Sequence, residues 1–199
     1  MREEPVGRIP HQKFDIAKLD KLNDPARFEQ IDPDLMWAAL GSSAPRAIVE
    51  IGAGTGMFAG RFAEYASGAL VYAADTEPVM VDWMRENRAP AYGERFIPVL
   101  SSEETIPLPD GIADLVAMIN LHHELAAPAA IYAEAFRLLA PAGQVLVVDW
   151  SPGAEGRGPS QAVRVSADQI AAALKAAGFV HTATHAGLAQ HSLLTGTRT

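Results

Sequence analysis

Runs of apolar residues alternate with helix-compatible segments from residue 45 towards the end of the chain. The patterns predict strands at 46–51, 69–75, 94–100, 113–120 and 144–149. They predict helices at 56–66, 77–88 and 128–139. Several of the strands are uninterrupted apolar runs, which is typical of a sheet covered on both faces. This alternation predicts an α/β fold with a mainly parallel sheet and right-handed crossovers.

The last part of the chain breaks this alternation. Ser166 and Gln169 have the spacing of a capping box, which begins a helix that ends at Gly178. Two strand-like runs, 179–185 and 190–197, follow with only a short connection between them, so they are expected to pair antiparallel. We therefore predict a three-layer α/β/α, Rossmann-like fold of about seven strands, with the last strand antiparallel.

The first 44 residues differ in character from the rest. They are largely polar, with apolar side chains at helix-like spacing between Phe14 and Leu22. Asp32 and Pro33 read as the N-cap and first turn of a short helix. We expect residues 1–44 to form a helical arm or lid on a domain of residues 45–199. Phe14 and Phe28 either cover a cleft or pack into the core.

Composition and charge narrow the function classes. The 199 residues contain no cysteine, which excludes disulfides and thiolate chemistry and fits a cytoplasmic location. No apolar run is long enough for a membrane span, and the N-terminus lacks the apolar core of a signal peptide. Residues 71–150 carry 12 acidic and 4 basic side chains, which accounts for the whole net charge of −8. A nucleic-acid partner needs the opposite sign, so we expect a small-molecule substrate.

A glycine-rich turn follows the first predicted strand directly. Gly52, Gly54 and Gly56 stand at alternate positions between that strand and a helix. Glycines at such a turn permit positive φ and let a ligand approach the backbone. Asp75 ends the next strand, where a carboxylate can accept hydrogen bonds from ribose hydroxyls. Together these features indicate a nucleoside-containing ligand.

In the order and spacing of its motifs, the chain resembles the class I S-adenosylmethionine-dependent methyltransferases over residues 45–198. The matching segments are 50–56, Asp75 with Met80, 106–116, 138–143 and 176–179. Segments before residue 45, at 148–150 and at 163–166 resemble the small-molecule branch, which includes ubiquinone and menaquinone methyltransferases. The resemblance implies S-adenosylmethionine as cosubstrate and S-adenosylhomocysteine as product.

The resemblance also implies roles for individual residues. Glu50 would orient the methionine end of the cosubstrate, and Asp75 would accept the two ribose hydroxyls. Near the adenine, Ser102 stands where the family usually has an aspartate, with Glu103 beside it as a substitute. The other residues implied in cosubstrate binding are Gly52, Ala53, Gly54, Thr55, Gly56, Thr76, Met80, Asn120 and Leu121.

The candidates for catalysis lie at the same predicted edge of the sheet. His122 and His123 follow the fourth strand, and either can accept a proton near neutral pH. The alternative is that one packs and the other is solvated. Asp149 ends the fifth strand and can bind the acceptor, while Trp150 either walls the pocket or packs. Methyl transfer can also proceed through positioning alone, without a base.

Other interpretations of the sequence remain open. No metal site is expected, because the histidines in the last two strands have no carboxylate near them in sequence. A non-catalytic S-adenosylmethionine-binding protein is an alternative, since Ser102 replaces the usual acid. An NAD(P)-dependent oxidoreductase is less favoured, because Met57 stands where the dinucleotide motif has its last glycine. The short insertion after the fifth strand leaves the substrate site open unless a second subunit closes it, as in a homodimer.

Overall fold

The computed structural model describes residues 18–41, 44–155 and 158–199. The strands are β1 (Ala47–Ile51), β2 (Leu70–Asp75), β3 (Phe96–Leu100), β4 (Ala113–Ile119), β5 (Leu139–Trp150), β6 (Val180–His185) and β7 (His191–Thr197). The α-helices are α1 (Lys18–Leu22), α2 (Arg27–Gln30), α3 (Pro33–Ala39), α4 (Met57–Tyr65), α5 (Pro78–Trp83), α6 (Pro128–Leu138) and α7 (Ala167–Ala176).

The seven strands form one sheet in the order β3-β2-β1-β4-β5-β7-β6. Strands β1 to β5 pair in parallel, whereas β7 runs antiparallel to both β5 and β6. The predicted fold class is therefore confirmed. Strand β1 lies between β2 and β4, so the strand order reverses at β1. In sheets of this kind, ligands bind at the carboxyl ends of the strands where the strand order reverses.

Apolar side chains cover the sheet on both faces. On one face, Phe58 and Phe62 of α4 and Met36 of α3 pack against β1 and β2. On the other face, Tyr132 of α6 and Leu174 of α7 pack against β4, β5 and β7. This two-sided burial explains why the parallel strands read as continuous apolar runs.

Two predicted elements differ from the observed ones. Strand β5 begins at Leu139 and not at residue 144, because Leu139 already pairs with Ala113 before the register shifts. Ala142 adopts a positive φ of 64° within this irregular stretch. The helix predicted at 77–88 is α5 followed by a π-helical turn, Met84–Arg88. There the Asn87 side chain donates to the Trp83 carbonyl at 2.9 Å, which competes with regular helical bonding.

The predicted helix signals are largely confirmed. Asp32 Oδ1 accepts a hydrogen bond from the Asp34 amide at 2.8 Å, with Pro33 in the first turn. Ser166 and Gln169 form both bonds of the capping box. Phe28 lies 5.5 Å from Phe58 in an edge-to-face contact, so it packs onto the core. Phe14 and the rest of residues 1–17 lie outside the described residues, and the division at residue 44 stays a prediction.

Candidate functional site

The glycine turn is fastened to the end of β2 by backbone hydrogen bonds. The Gly52 and Ala53 amides both donate to the Ala74 carbonyl at 2.9 Å. The Gly54 amide donates to Asp75 Oδ2 at 2.7 Å. The three glycines of the turn have φ values of 72°, 56° and 65°, which a side chain would strain. The turn and Asp75 are thus one rigid unit at the carboxyl edge of the sheet.

Asp75 is held in place but keeps capacity to bind a ligand. Its Oδ1 accepts from the Glu77 amide at 2.9 Å, and only 8% of the residue is exposed. Burial raises the pKa of Asp75, and the two backbone hydrogen bonds, from Glu77 and Gly54, partly offset that rise. Each carboxylate oxygen accepts one of these bonds and has a second lone pair. The carboxylate can therefore take two further donors, as two neighbouring hydroxyls require.

Two glycines of the turn, Gly56 and Gly54, have different surroundings. A Cβ on Gly56 would lie 2.7 Å from Phe96 Cζ and 2.9 Å from Met84 Sδ, so Gly56 packs against the core. A Cβ on Gly54 would meet only Leu22 Cδ1, at 3.7 Å. Gly54 therefore faces the N-terminal segment and is the open member of the turn.

Three buried polar atoms around this turn have no hydrogen-bond partner within the part of the chain that the structure describes. They are Glu50 Oε2, Thr55 Oγ1 and Asn120 Oδ1. Buried polar groups in folded proteins are nearly always paired, with protein, water or ligand. Glu50 is the second-last residue of β1, Asn120 directly follows the neighbouring strand β4, and Thr55 lies in the glycine turn after β1. The donor and acceptor set fits a ligand that carries both hydroxyl and amino groups.

The electrostatics of Glu50 fit the same ligand. The residue is only 2% exposed, and this burial raises its pKa to about 8. A backbone hydrogen bond from Ala59 and the charge of Arg27 oppose the rise. A cationic ligand group near Glu50 would favour its ionised form, so binding of a cation and ionisation of Glu50 are coupled.

His123 forms a buried pair with Asp149. Its Nδ1 lies 2.8 Å from Asp149 Oδ1, and the Asp149 side chain is fully buried. Burial lowers the pKa of His123, but the hydrogen bonds to Asp149 and Glu124 outweigh it and raise the pKa to about 9. His123 is therefore an imidazolium at neutral pH. At this pH, His123 carries a positive charge and cannot accept a proton from a substrate.

His122 has the opposite character. Its Nδ1 lies 2.6 Å from the Tyr132 hydroxyl, and burial lowers its pKa while Asp149 opposes the shift. His122 is therefore neutral at pH 7. The expectation that one of the two histidines is solvated is wrong, because the His122 residue is 9% exposed and the His123 side chain 8%. Both are fixed by hydrogen bonds from separate elements.

The predicted adenine end is less well organised than the rest of the site. Ser102 is exposed, and its hydroxyl accepts from the Thr105 amide at 3.0 Å and lies 3.2 Å from the Thr105 carbonyl. Glu103 and Thr76 are exposed, whereas Met80 is buried in α5. Leu121 packs over the turn, where a Cβ on Gly52 would lie 2.7 Å from Leu121 Cδ1. The structure thus brings Leu121 to the glycine turn and leaves Ser102 in a local turn of its own.

Sequence reasoning missed two arginines that join the N-terminal segment to the site. Arg88, at the end of the π-helical turn, donates to the Thr55 carbonyl at 3.3 Å and to Asn23 Oδ1 at 2.9 Å. Arg27 donates to the Leu22 carbonyl at 2.8 Å and lies 5.0 Å from the Phe58 ring centroid. Neither residue stands in a sequence motif, so no local signal pointed to them.

Sequence reasoning also missed His191, which it considered only for a metal site. His191 begins β7 and pairs in register with Trp150, and the two rings are in tilted contact at a centroid distance of 4.1 Å. Trp150 also lies 5.2 Å below the Arg164 guanidinium, so it is packed between two side chains. Of the two roles predicted for Trp150, the packing role is the one that the contacts favour.

Two kinds of feature are absent from the described residues, namely a membrane-spanning helix and a cluster of metal ligands. Across 18–41, 44–155 and 158–199, no helix is long and apolar enough to cross a membrane. Over the same ranges, no three His, Asp or Glu side chains cluster as ligands for a metal ion.

Residues 49–147 match the family described as "Methyltransferase domain". A demethylmenaquinone methyltransferase of Thermus thermophilus is 30% identical over 144 residues, which are 70% of this chain and 64% of that relative. This chain therefore spans slightly less than two thirds of the relative's length. The crystal structure of an S-adenosylmethionine-dependent methyltransferase from Aquifex aeolicus superposes with a TM-score of 0.85 at 25% identity, covering 94% of this chain and 100% of that one.

A more distant solved structure has the same fold. Human N-acetylserotonin methyltransferase, in complex with S-adenosylmethionine, superposes with a TM-score of 0.73 at 17% identity. The match covers 91% of this chain and 55% of the human one. At this identity the likeness concerns the fold alone.

Proposed function

Since the chain belongs to the class I S-adenosylmethionine-dependent methyltransferases, we propose that it transfers the methyl group of S-adenosylmethionine to a small-molecule acceptor. The observation that carries the proposal is the set of unpartnered buried atoms of Glu50, Thr55 and Asn120 around the glycine turn. These atoms supply hydrogen-bonding capacity at the sheet edge where this family holds its cosubstrate.

The cosubstrate would be held by three groups of residues. Asp75 would accept the two ribose hydroxyls through the free lone pairs of its carboxylate. Glu50 and Asn120 would accept hydrogen bonds from donors at the methionine end. Gly54, with Ala53 and Thr55 on either side, would let the ligand lie against the backbone, whereas Gly52 lies under Leu121 and stays a predicted contact. Thr76, Met80, Ser102 and Glu103 remain the predicted adenine contacts.

The reaction needs the acceptor in line with the transferring methyl group, and much of the acceleration comes from positioning and exclusion of water. His122 is the residue suited to take a proton from the acceptor, because it is neutral at pH 7. In the tautomer that donates its Nδ1–H to the Tyr132 oxygen, Nε2 is the nitrogen that can accept a proton. The charged pair of His123 and Asp149 would fix the segment after β4 and orient His122.

A small-molecule acceptor is supported by two observations. The similar protein of Thermus thermophilus is named for demethylmenaquinone, a small molecule. The acidic balance of residues 71–150 disfavours a nucleic acid. The cytoplasmic location, the homodimer and the lid role of residues 1–44 stay predictions from the sequence.

The test is calorimetric titration with S-adenosylmethionine, S-adenosylhomocysteine and NADH. We expect micromolar binding of the first two and none of NADH, which would also exclude the oxidoreductase alternative. Asp75→Ala should weaken binding at least about 100-fold, because two hydrogen bonds to a charged group are lost.

Asp114→Ala is the matched control for this titration. Asp114 Oδ2 also accepts two backbone amides, those of Arg46 and Ala47, but Asp114 begins β4 at the opposite edge of the sheet. Unchanged affinity is expected in this variant. Equal losses of affinity in both variants would show that Asp75 supports the fold and does not contact the ligand.

A further inference from the structure

The unpartnered buried atoms extend beyond the cosubstrate side of the sheet. Both ring nitrogens of His191 are buried without a hydrogen-bond partner among the described residues, and the residue is only 4% exposed. His191 is the first residue of β7, and antiparallel pairing places it beside Trp150 at the carboxyl end of β5. Unpartnered atoms thus follow the sheet edge from β1 through β4 to β7. The cosubstrate accounts for those at β1 and β4.

Burying an imidazole whose two nitrogens have no hydrogen-bond partner costs free energy. Each unsatisfied nitrogen forfeits the hydrogen bond that water gave it in the unfolded chain. The tilted ring contact with Trp150 uses neither nitrogen in a hydrogen bond, so this contact alone does not account for a histidine at this position. The neutral ring offers one donor and one acceptor, which matches a hydroxyl or carbonyl group.

The charges around His191 determine which ligand charge is favoured beside it. Burial lowers the pKa of His191 to about 4, Asp149 opposes the shift, and the positive charges of Arg164, Arg27 and His123 add to it. Positive charge is therefore disfavoured here, and Asp149 is already paired with His123.

Arg164 stands out among these three cations. Its guanidinium donates to the backbone carbonyls of Pro159, Ser151 and Ala154, and within the described ranges no carboxylate lies within ion-pair distance of it. A surrounding of this kind repels an ammonium group and favours a neutral or anionic oxygen.

We propose that His191 binds the methyl acceptor through a hydrogen bond to an acceptor oxygen, and that the acceptor is a phenol or enol and not an amine. This inference rests on the proposed methyl transfer and names the acceptor side of the same site. His191 is a substrate-binding residue in this assignment. His122 remains the residue suited to take the proton.

The test measures binding to the protein saturated with S-adenosylhomocysteine, so that no turnover is needed. The probes are 1-naphthol and 1-naphthylmethylamine, which share a ring system and differ in the polar head, the second being a cation at pH 7. We expect 1-naphthol to bind at least about tenfold more tightly. His191→Phe should remove this preference and leave S-adenosylhomocysteine affinity unchanged. His191→Gln, which keeps a donor and an acceptor, should retain part of it.

The melting temperature of the ligand-free protein distinguishes a ligand-binding His191 from one that stabilises the fold. His191→Phe removes two unpaired nitrogens, so the melting temperature should be unchanged or higher by about 2–4 °C. The matched control is His185→Phe on the adjoining strand. His185 Nε2 lies 2.8 Å from Thr195 Oγ1, so this change breaks a hydrogen bond and should lower the melting temperature by about 2–4 °C without altering naphthol binding.

The outcomes separate this inference from the proposed function. Failure to bind S-adenosylhomocysteine overturns both. Binding of S-adenosylhomocysteine together with equal or tighter binding of the amine, or no binding of 1-naphthol, overturns the assignment of His191 alone. A lower melting temperature in His191→Phe with an unchanged preference for naphthol would make His191 a packing residue.

Discussion

The two halves of the sheet edge are built in different ways. On the β1–β2 side, the glycine turn and Asp75 lie within 26 residues of one another in the sequence, and backbone amides join them directly. On the β4–β5–β7 side, His123 pairs with Asp149, and Trp150 pairs with His191 some 40 residues later. The first half is a local motif, and the second is assembled by the topology of the sheet. The cosubstrate side is therefore the part that a sequence reveals.

The largest effect should come from the glycine that faces the core. Gly56→Ala introduces a Cβ 2.7 Å from Phe96 Cζ at a positive φ, so we expect a loss of about 2–4 kcal/mol in the free energy of unfolding. Gly54→Ala meets only Leu22, so it should lose about 1–2 kcal/mol and instead weaken S-adenosylmethionine binding at least about tenfold. Urea unfolding and calorimetry measure the two effects. Equal stability losses in both variants would contradict this division of roles.

The second prediction concerns the charged pair on the β4–β5 side. The pKa of His123 is raised from 6.5 to about 9, so its contribution to stability is complete below pH 6.5 and is lost as the pH rises through about 9. The groups that act on it are Asp149 and Glu124. We expect the melting temperature to fall between pH 6.5 and 9.5, and Asp149→Asn to flatten this fall.

Asp149→Asn should also lower stability at pH 6 by about 2–3 kcal/mol, because it leaves an uncompensated buried imidazolium. The affinity for S-adenosylmethionine should change little, since Asp149 lies outside the proposed cosubstrate contacts. Glu124→Gln is a milder control, because the Glu124 carboxylate is exposed and lies 3.6 Å from His123 Nε2. Since Glu50 is expected to contribute to the fall only up to about pH 8, a fall between pH 8 and 9.5 that survives in Asp149→Asn would place the titrating group elsewhere.

The difference between the halves also explains what the sequence could predict. The mainly parallel sheet of about seven strands, the terminal antiparallel pair and the capping box at Ser166 follow from periodicity and short motifs, and the structure confirms them. The resemblance to S-adenosylmethionine-dependent methyltransferases is confirmed as well. The predicted cosubstrate residues are brought to one edge of the sheet, although their contacts with the ligand stay predictions.

The acceptor side was less accessible to sequence reasoning. Proximity of His191 to Trp150 depends on register between distant strands, which periodicity does not specify. Proximity of His122 to Tyr132 depends on how the segment after β4 packs against α6. Arg88 reaches the glycine turn from the end of a π-helical turn, whereas the sequence pattern predicted a regular helix there. The early start of β5 was missed for a similar reason, since Pro141 and Gly143 suggested a turn outside the sheet.

The third prediction uses the buried carboxyl of Glu50 on the cosubstrate side, whose Oε2 has no hydrogen-bond partner among the described residues. Its folded pKa of about 8 exceeds the ordinary value of 4.5, so the folded state loses stability relative to the unfolded state as the pH rises from 4.5 to 8. Glu50→Gln removes this loss, and we expect a higher melting temperature at pH 7.5, by about 2–4 °C, in the ligand-free protein. The same variant should bind S-adenosylmethionine about 3–30-fold more weakly. A variant that is less stable and binds normally would show a purely structural Glu50.

The smallest effect should come from the arginine that links the N-terminal segment to the turn. Arg88→Ala removes hydrogen bonds to the Thr55 carbonyl and to Asn23 Oδ1, so we expect a loss of about 1 kcal/mol in stability. Affinity for S-adenosylmethionine should fall about 3–10-fold, because Thr55 and the segment carrying Leu22 are no longer held at the turn. Arg85→Ala is the control, since Arg85 forms only an exposed pair with Asp82 in the same turn. Limited proteolysis between residues 18 and 30 should be faster in Arg88→Ala and unchanged in Arg85→Ala, because the Arg88 hydrogen bonds hold the N-terminal segment. Equal rates in the two variants would show that these hydrogen bonds do not hold the segment at the glycine turn.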